Sequence, residues 1–118
     1  MAIPEKRKSA DSAAPLAGVR PLAAVDLALK SLASPPQGPE QFTIGAAVAY
    51  QWALGRRARA PVTSADGRGV PDLPLLTAEV DAAVVQLEDP TTPADLRDFT
   101  RGVHDALGWV CGYSDQSA

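Results

Sequence analysis

A single cysteine and a single histidine stand in a chain of 118 residues, only 5% of them aromatic. One cysteine excludes an intramolecular disulfide and suits a reducing compartment. His104 and Cys111 are too few for a metal site of three or four ligands, and Asp105 and Asp115 are not at a ligand spacing that completes one. Seven residues apart on one expected helix, their backbones lie roughly 10 Å apart along its axis, out of reach for a thiol and its base. Asp66-Gly67-Arg68-Gly69-Val70 lacks the Lys and Ser/Thr that follow the last glycine of a phosphate-binding loop. No alternating β-branched run is long enough for a strand, and no repeat period is visible. The N-terminus carries charges with no apolar segment behind them, so no secretory signal is expected and a cytoplasmic address is favoured. The longest charge-free run, Gln41 to Gly55, is about 15 residues of mostly small side chains, short of the roughly 20 that span a membrane.

What remains is a globular composition, with 46% apolar and 21% charged residues, enough for one domain. The net charge of -3 is unevenly spread. Met1 to Val70 holds nine Lys/Arg and five Asp/Glu, whereas Pro71 to Ala118 holds two and nine. Such a chain either pairs its own halves or presents two differently charged surfaces to a partner.

Proline positions and helical periodicity divide the chain. Leu22, Val25, Leu29 and Leu32 predict a first helix over about 21–34, stopped by Pro35 and Pro36. Gly38 and Pro39 open a second over 39–59 that is apolar on every side and therefore must be enclosed; Arg56, Arg57 and Arg59 stand where cations complement a helix end. Residues 60–73 form a long loop, read as a disordered tether or a working loop. A third helix over 74–88 turns Leu76, Val80, Val84 and Leu87 inward and Glu79, Asp81 and Gln86 outward. Thr92-Pro93-Ala94-Asp95 predicts a threonine N-cap for a fourth over 93–112, with Leu96, Phe99, Val103, Leu107 and Val110 inward. The expectation is an all-α, single-domain bundle of four helices spanning 21–113, built as two αα-hairpins joined by a long loop. A flexible basic arm, 1–20, with Lys6, Arg7 and Lys8, precedes it, and a flexible tail, 114–118, follows.

Two clusters carry the functional expectations. Tyr50, Trp52, Trp109 and Tyr113 are the candidate protein interface, since Trp and Tyr are frequent interface anchors. The competing reading puts the Trp109 face against helix two within the monomer, with Gly102 and Ala106 approaching Gly45, Ala49 and Ala53. Arg56, Arg57, Arg59 and Arg68 are the candidate anion or nucleic-acid contact, although no aromatic residue interleaves them for base stacking. Asp98, Arg101 and Asp105 read as a solvated salt-bridge face. A ligand pocket lined by Trp52, Phe99 and Trp109 is a further option. The leading expectation is a non-enzymatic protein-interaction or assembly module that pairs with itself or another protein through apolar surface of helices two and four. The alternative is a small nucleic-acid-associated or regulatory protein using the arginines. No catalytic residue, cofactor or metal and no membrane partner is expected.

Overall fold

The computed structural model describes residues 15–32 and 39–118. Residues 1–14, with Lys6, Arg7 and Lys8, and 33–38, with Pro35, Pro36 and Gly38, lie outside the described residues. The expected small bundle of four helices is present: α1 (Leu22–Ser31), α2 (Glu40–Ala53), α3 (Leu73–Glu88) and α4 (Ala94–Val110). No helix among the described residues is long and apolar enough to cross a membrane.

The stacking order follows from side-chain size. The closest and most extensive helix contact is α2 with α4; α1 lies on α2, and α3 lies on α4. A Cβ on Gly45 would collide with the Phe99 carbonyl, and one on Gly102 with the Phe42 carbonyl. The two backbones therefore touch where neither has a side chain. Tyr50 meets Trp109 further along, edge to face, with the ring centres 6.1 Å apart. Around them Val25, Ala46, Ala49, Tyr50, Ala53, Leu76, Val103, Leu107 and Val110 are buried. Each large aliphatic among them contributes roughly 1.5–3 kcal/mol by leaving water. Val84, Leu87 and Phe99 are only half-buried, and Leu96 is exposed.

Several boundaries differ from expectation for identifiable reasons. α2 ends at Ala53 and does not run to 59, because Gly55 takes a left-handed φ of 78°. The Gly55 amide donates to Trp52 and the Arg56 amide to Gln51, closing the last turn. The arginines thus follow the helix. Thr92 does not cap α4: the N-cap is Pro93, and the Thr92 hydroxyl donates back to the Gln86 carbonyl of α3, 2.8 Å away. Arg97 closes the same end of α3 by donating to the carbonyls of Leu87 and Asp89.

Residues 16–20, expected within the flexible arm, and Pro21, expected to open the first helix, form an antiparallel hairpin of β1 (Leu16–Ala17) and β2 (Arg20–Pro21). Two-residue strands carry no alternation to read. Docking holds them instead: Ala17 is buried, and the Val19 amide donates to the Val110 carbonyl at 3.0 Å. Arg20 donates to the carbonyls of Trp109 and Ser114, both at 2.8 Å, and its guanidinium lies 4.8 Å from the centre of the Trp109 ring. A cation thereby meets the negative end of α4. The tail, expected to be flexible, is also fastened, since the Ala118 amide donates to the Tyr50 hydroxyl at 2.8 Å.

Candidate functional site

The segment from Arg56 to Asp72 crosses from the end of α2 to the start of α3, and its backbone is organised from within. The Ala60 amide donates to Ala65, Ser64 to Ala60 and Gly67 to Ala58, all at 2.9–3.0 Å, and Arg59 bridges to Asp66. Asp72 then caps α3, accepting from the Leu75 amide at 3.0 Å.

One carboxylate holds this loop down. Glu79, expected to face solvent, is 3% exposed. Its Oε1 accepts from the amides of Val62 at 2.7 Å and Thr63 at 3.2 Å, and its Oε2 accepts from the Thr63 hydroxyl at 2.6 Å. A carboxylate is tolerated inside only when donors replace its water, and here the loop supplies them. The segment is therefore an ordered loop, not a tether. The pattern was present in the sequence: Leu76, Glu79, Val80 and Ala83 fall at i, i+3, i+4 and i+7, one buried face. Three donors engage the two oxygens of Glu79, which gives it the role of an anchor.

Beside this anchor lies a cleft of about 130 Å³ between loop and helix. Trp52, Ala60, Ala65, Pro71, Leu75 and Ala78 supply its apolar walls, with Asp66 and Arg68 among its polar lining. Cofactor and small-molecule sites occupy roughly 300–1,000 Å³, so this cleft suits a single side chain. A second, broader hollow of about 360 Å³ lies between Phe42, His104, Gly108 and the tail. Its histidine Nδ1 is already 3.1 Å from Asp105.

The four candidate interface residues do not form one surface. Tyr50 and Trp52 are buried in the monomer, Trp109 is half-buried against Tyr50 and beneath Arg20, and only Tyr113 is largely exposed. Gly102 does meet α2, as the competing reading required. Burial pushes the Tyr50 phenol above its ordinary pKa, against the opposing donation from Ala118.

The arginines are divided among different acceptors. Arg56 and Lys30 each sit 3.0 Å from Asp26, and their hydrogen bonds hold that carboxyl below its ordinary pKa. Arg57 donates to the Gln51 side chain at 2.7 Å, and Arg59 lies 3.8 Å from Asp66. Arg68 remains at the cleft. Asp98 and Arg101 pair at 3.8 Å on the outside of α4. Every ion pair among the described residues stays within its own half of the chain. Burial raises the pKa of the Cys111 thiol, which opposes a reactive thiolate. No group of three potential metal ligands occurs among the described residues.

α3 holds one feature that the inward-facing stripe concealed. Leu75, Ala78, Ala82 and Val85 recur at i, i+3, i+7 and i+10 outside the buried face, and Leu75 and Val85 are 49% and 69% exposed. Val70 and Leu73, just before and at the start of the helix, are also exposed. No family model, curated relative or solved structure matches this chain.

Proposed function

We propose that the protein is a non-enzymatic assembly module that associates with itself through apolar surface left outside the folded core. The observation that carries this reading is the second apolar face of α3. An edge helix needs one apolar stripe to join its domain, and a second stripe opposite the first stands in water unless another chain covers it. Tyr50 and Trp52, the aromatic residues first suited to such a contact, are already used inside the monomer. The association surface therefore moves from α2 and α4 to α3 and the adjoining cleft. Separation of the two charge halves adds to the case, because each copy then offers a basic and an acidic region to another.

Light scattering after size exclusion, from about 10 to 300 micromolar, tests the reading, since even an interface of several kcal/mol is populated in that range. A species of twice the monomer mass that grows with concentration and survives high salt is expected. A monomer at every concentration and salt overturns self-association.

A further inference from the structure

We infer that the exposed edge of α1 is the complement of the exposed face of α3, so that a second copy of this chain docks head to tail, its α1 on the α3 of the first. The inference rests on the self-association reading and specifies which two surfaces meet. α1 lies on α2 and α3 lies on α4, with no extensive contact between α1 and α3, so the two helices stand on different flanks of the central pair. Each keeps apolar residues outside its buried face. On α1 these are Ala23 and Leu27, at i and i+4, and Leu27 is 65% exposed. On α3 they are Leu75, Ala78, Ala82 and Val85.

Charge distinguishes the two edges. Residues 72–89 carry Asp72, Glu79, Asp81, Glu88 and Asp89 and no Lys or Arg. Glu79 is taken by the loop, whereas the other four are exposed and make no ion pair among the described residues. Two α3 faces therefore repel each other, and the surface that suits one is apolar with a basic rim. The α1–α2 hairpin offers it: residues 15–32 and 39–57 hold Arg20, Lys30, Arg56 and Arg57 against Asp26 and Glu40. Lys30 and Arg56 share the one carboxylate of Asp26, each 3.0 Å from it, and Arg57 is held by the neutral side chain of Gln51. Side-chain size agrees with charge. The α3 stripe is large at its ends and small at Ala78 and Ala82, and Leu27 is a single large residue beside Ala23 and Ala24, a knob for that small middle. Asp81 flanks this point on the side of α3 away from Glu79, and Lys30, three residues on from Leu27, reaches it. An unlike pairing does not close at two copies, so the average mass rises past the dimer as concentration increases. The seam is at the small end of specific interfaces, which makes the association weak.

Charge reversal in two separate copies tests the pairing. Lys30→Glu and Asp81→Lys are each expected to weaken association at least about fivefold in light scattering, with unchanged circular dichroism spectra. An equimolar mixture of the two is expected to recover to within about threefold of wild type, because each reversed edge then finds its complement. Two weakened variants that do not recover on mixing overturn the pairing of α1 with α3. A wild-type assembly that neither reversal changes overturns both edges but not self-association. Disulfide trapping gives a readout independent of charge, since the only native thiol, Cys111, is buried. Leu27→Cys and Ala82→Cys are mixed under mild oxidation, and the mixed disulfide is expected to exceed the two homodimers together. A mixed yield at or below that sum overturns the docking. A wild type that is monomeric throughout overturns both this docking and self-association.

Discussion

α2 and α3 are comparable in length and both strongly apolar, yet they stand in different relations to the fold. α2 buries Gly45, Ala46, Ala49, Tyr50, Trp52 and Ala53, while α3 buries a narrower set that includes a carboxylate, Glu79. The difference lies in what each offers its neighbours. α2 brings Gly45 and Ala46 to the α4 contact, so two backbones come together and the flanking aromatics are drawn in behind them. α3 presents larger residues to α4 on one side and keeps an apolar stripe on the other. Apolar arc width thus predicts how much of a helix wants cover but not which chain supplies it. The size of the contact residues carries that second piece of information.

The comparison is most exposed to failure at Gly45. Gly45→Val puts a branched side chain against the Phe99 backbone, which cannot retreat as a flexible side chain would. A loss of about 3 kcal/mol or more is expected in urea unfolding, at or above the upper end for overpacking. A loss below 1 kcal/mol would mean that the helices separate easily and that α2 is no more central than α3.

Glu79→Ala probes the opposite side of the comparison, the polar anchor on α3. It leaves the Val62 and Thr63 donors without their acceptor, for an expected loss of about 2–3 kcal/mol. Trypsin should then cut sooner after Arg59 or Arg68, a result that separates loop release from general unfolding. Unchanged cleavage would show that the loop holds itself.

Arg20→Ala removes two hydrogen bonds and the contact with the Trp109 ring, and about 1 kcal/mol is expected in thermal unfolding. Val85→Asp, measured at a dilution where only monomer exists, is expected to change stability by less than about 0.5 kcal/mol. A larger loss would place Val85 in the monomer core and remove the contrast between the two faces of α3.

The smallest effect is a pH dependence. Asp26 has a folded pKa below its ordinary value of about 4, so its contribution is present above that value and is lost as pH falls through the folded pKa. Wild type is accordingly expected to exceed Asp26→Asn in stability at neutral pH, with the gap closing on acidification. A gap that persists in strong acid would assign the difference to something other than the Lys30 and Arg56 pairs.

The helices were legible because Leu, Val and Ala recur at helical spacing between prolines. The end of α2 was not, because a glycine inside an apolar run reads as packing until the left-handed turn at Gly55 is seen. The same limit applies to Thr92, whose local sequence suits a cap but whose hydroxyl finds a carbonyl on the preceding helix. Residues 16–21 take strand form where they dock on α4, with the Val19 amide on the Val110 carbonyl and Ala17 buried. At the candidate site, Arg68 was legible from composition and the cleft was not, since its walls come from α2, the loop and α3 together. Glu79 and the outer stripe were both available as periodic patterns. A carboxylate reads as exposed from its charge and as buried from its position, and the outer stripe overlaps the span of the inward one.

Glu79 grips the loop chiefly through main-chain amides, and only the threonine hydroxyl is specific to a residue type. Downstream, Pro71 is buried and Asp72 fixes the start of α3. Between these two attachments the exposed residues 64–68 are held largely by main-chain bonds to Ala58 and Ala60, and none of them is in the core. The molecule thereby contains an exchangeable cassette, a stretch whose side chains can be diversified while the frame that displays them stays the same.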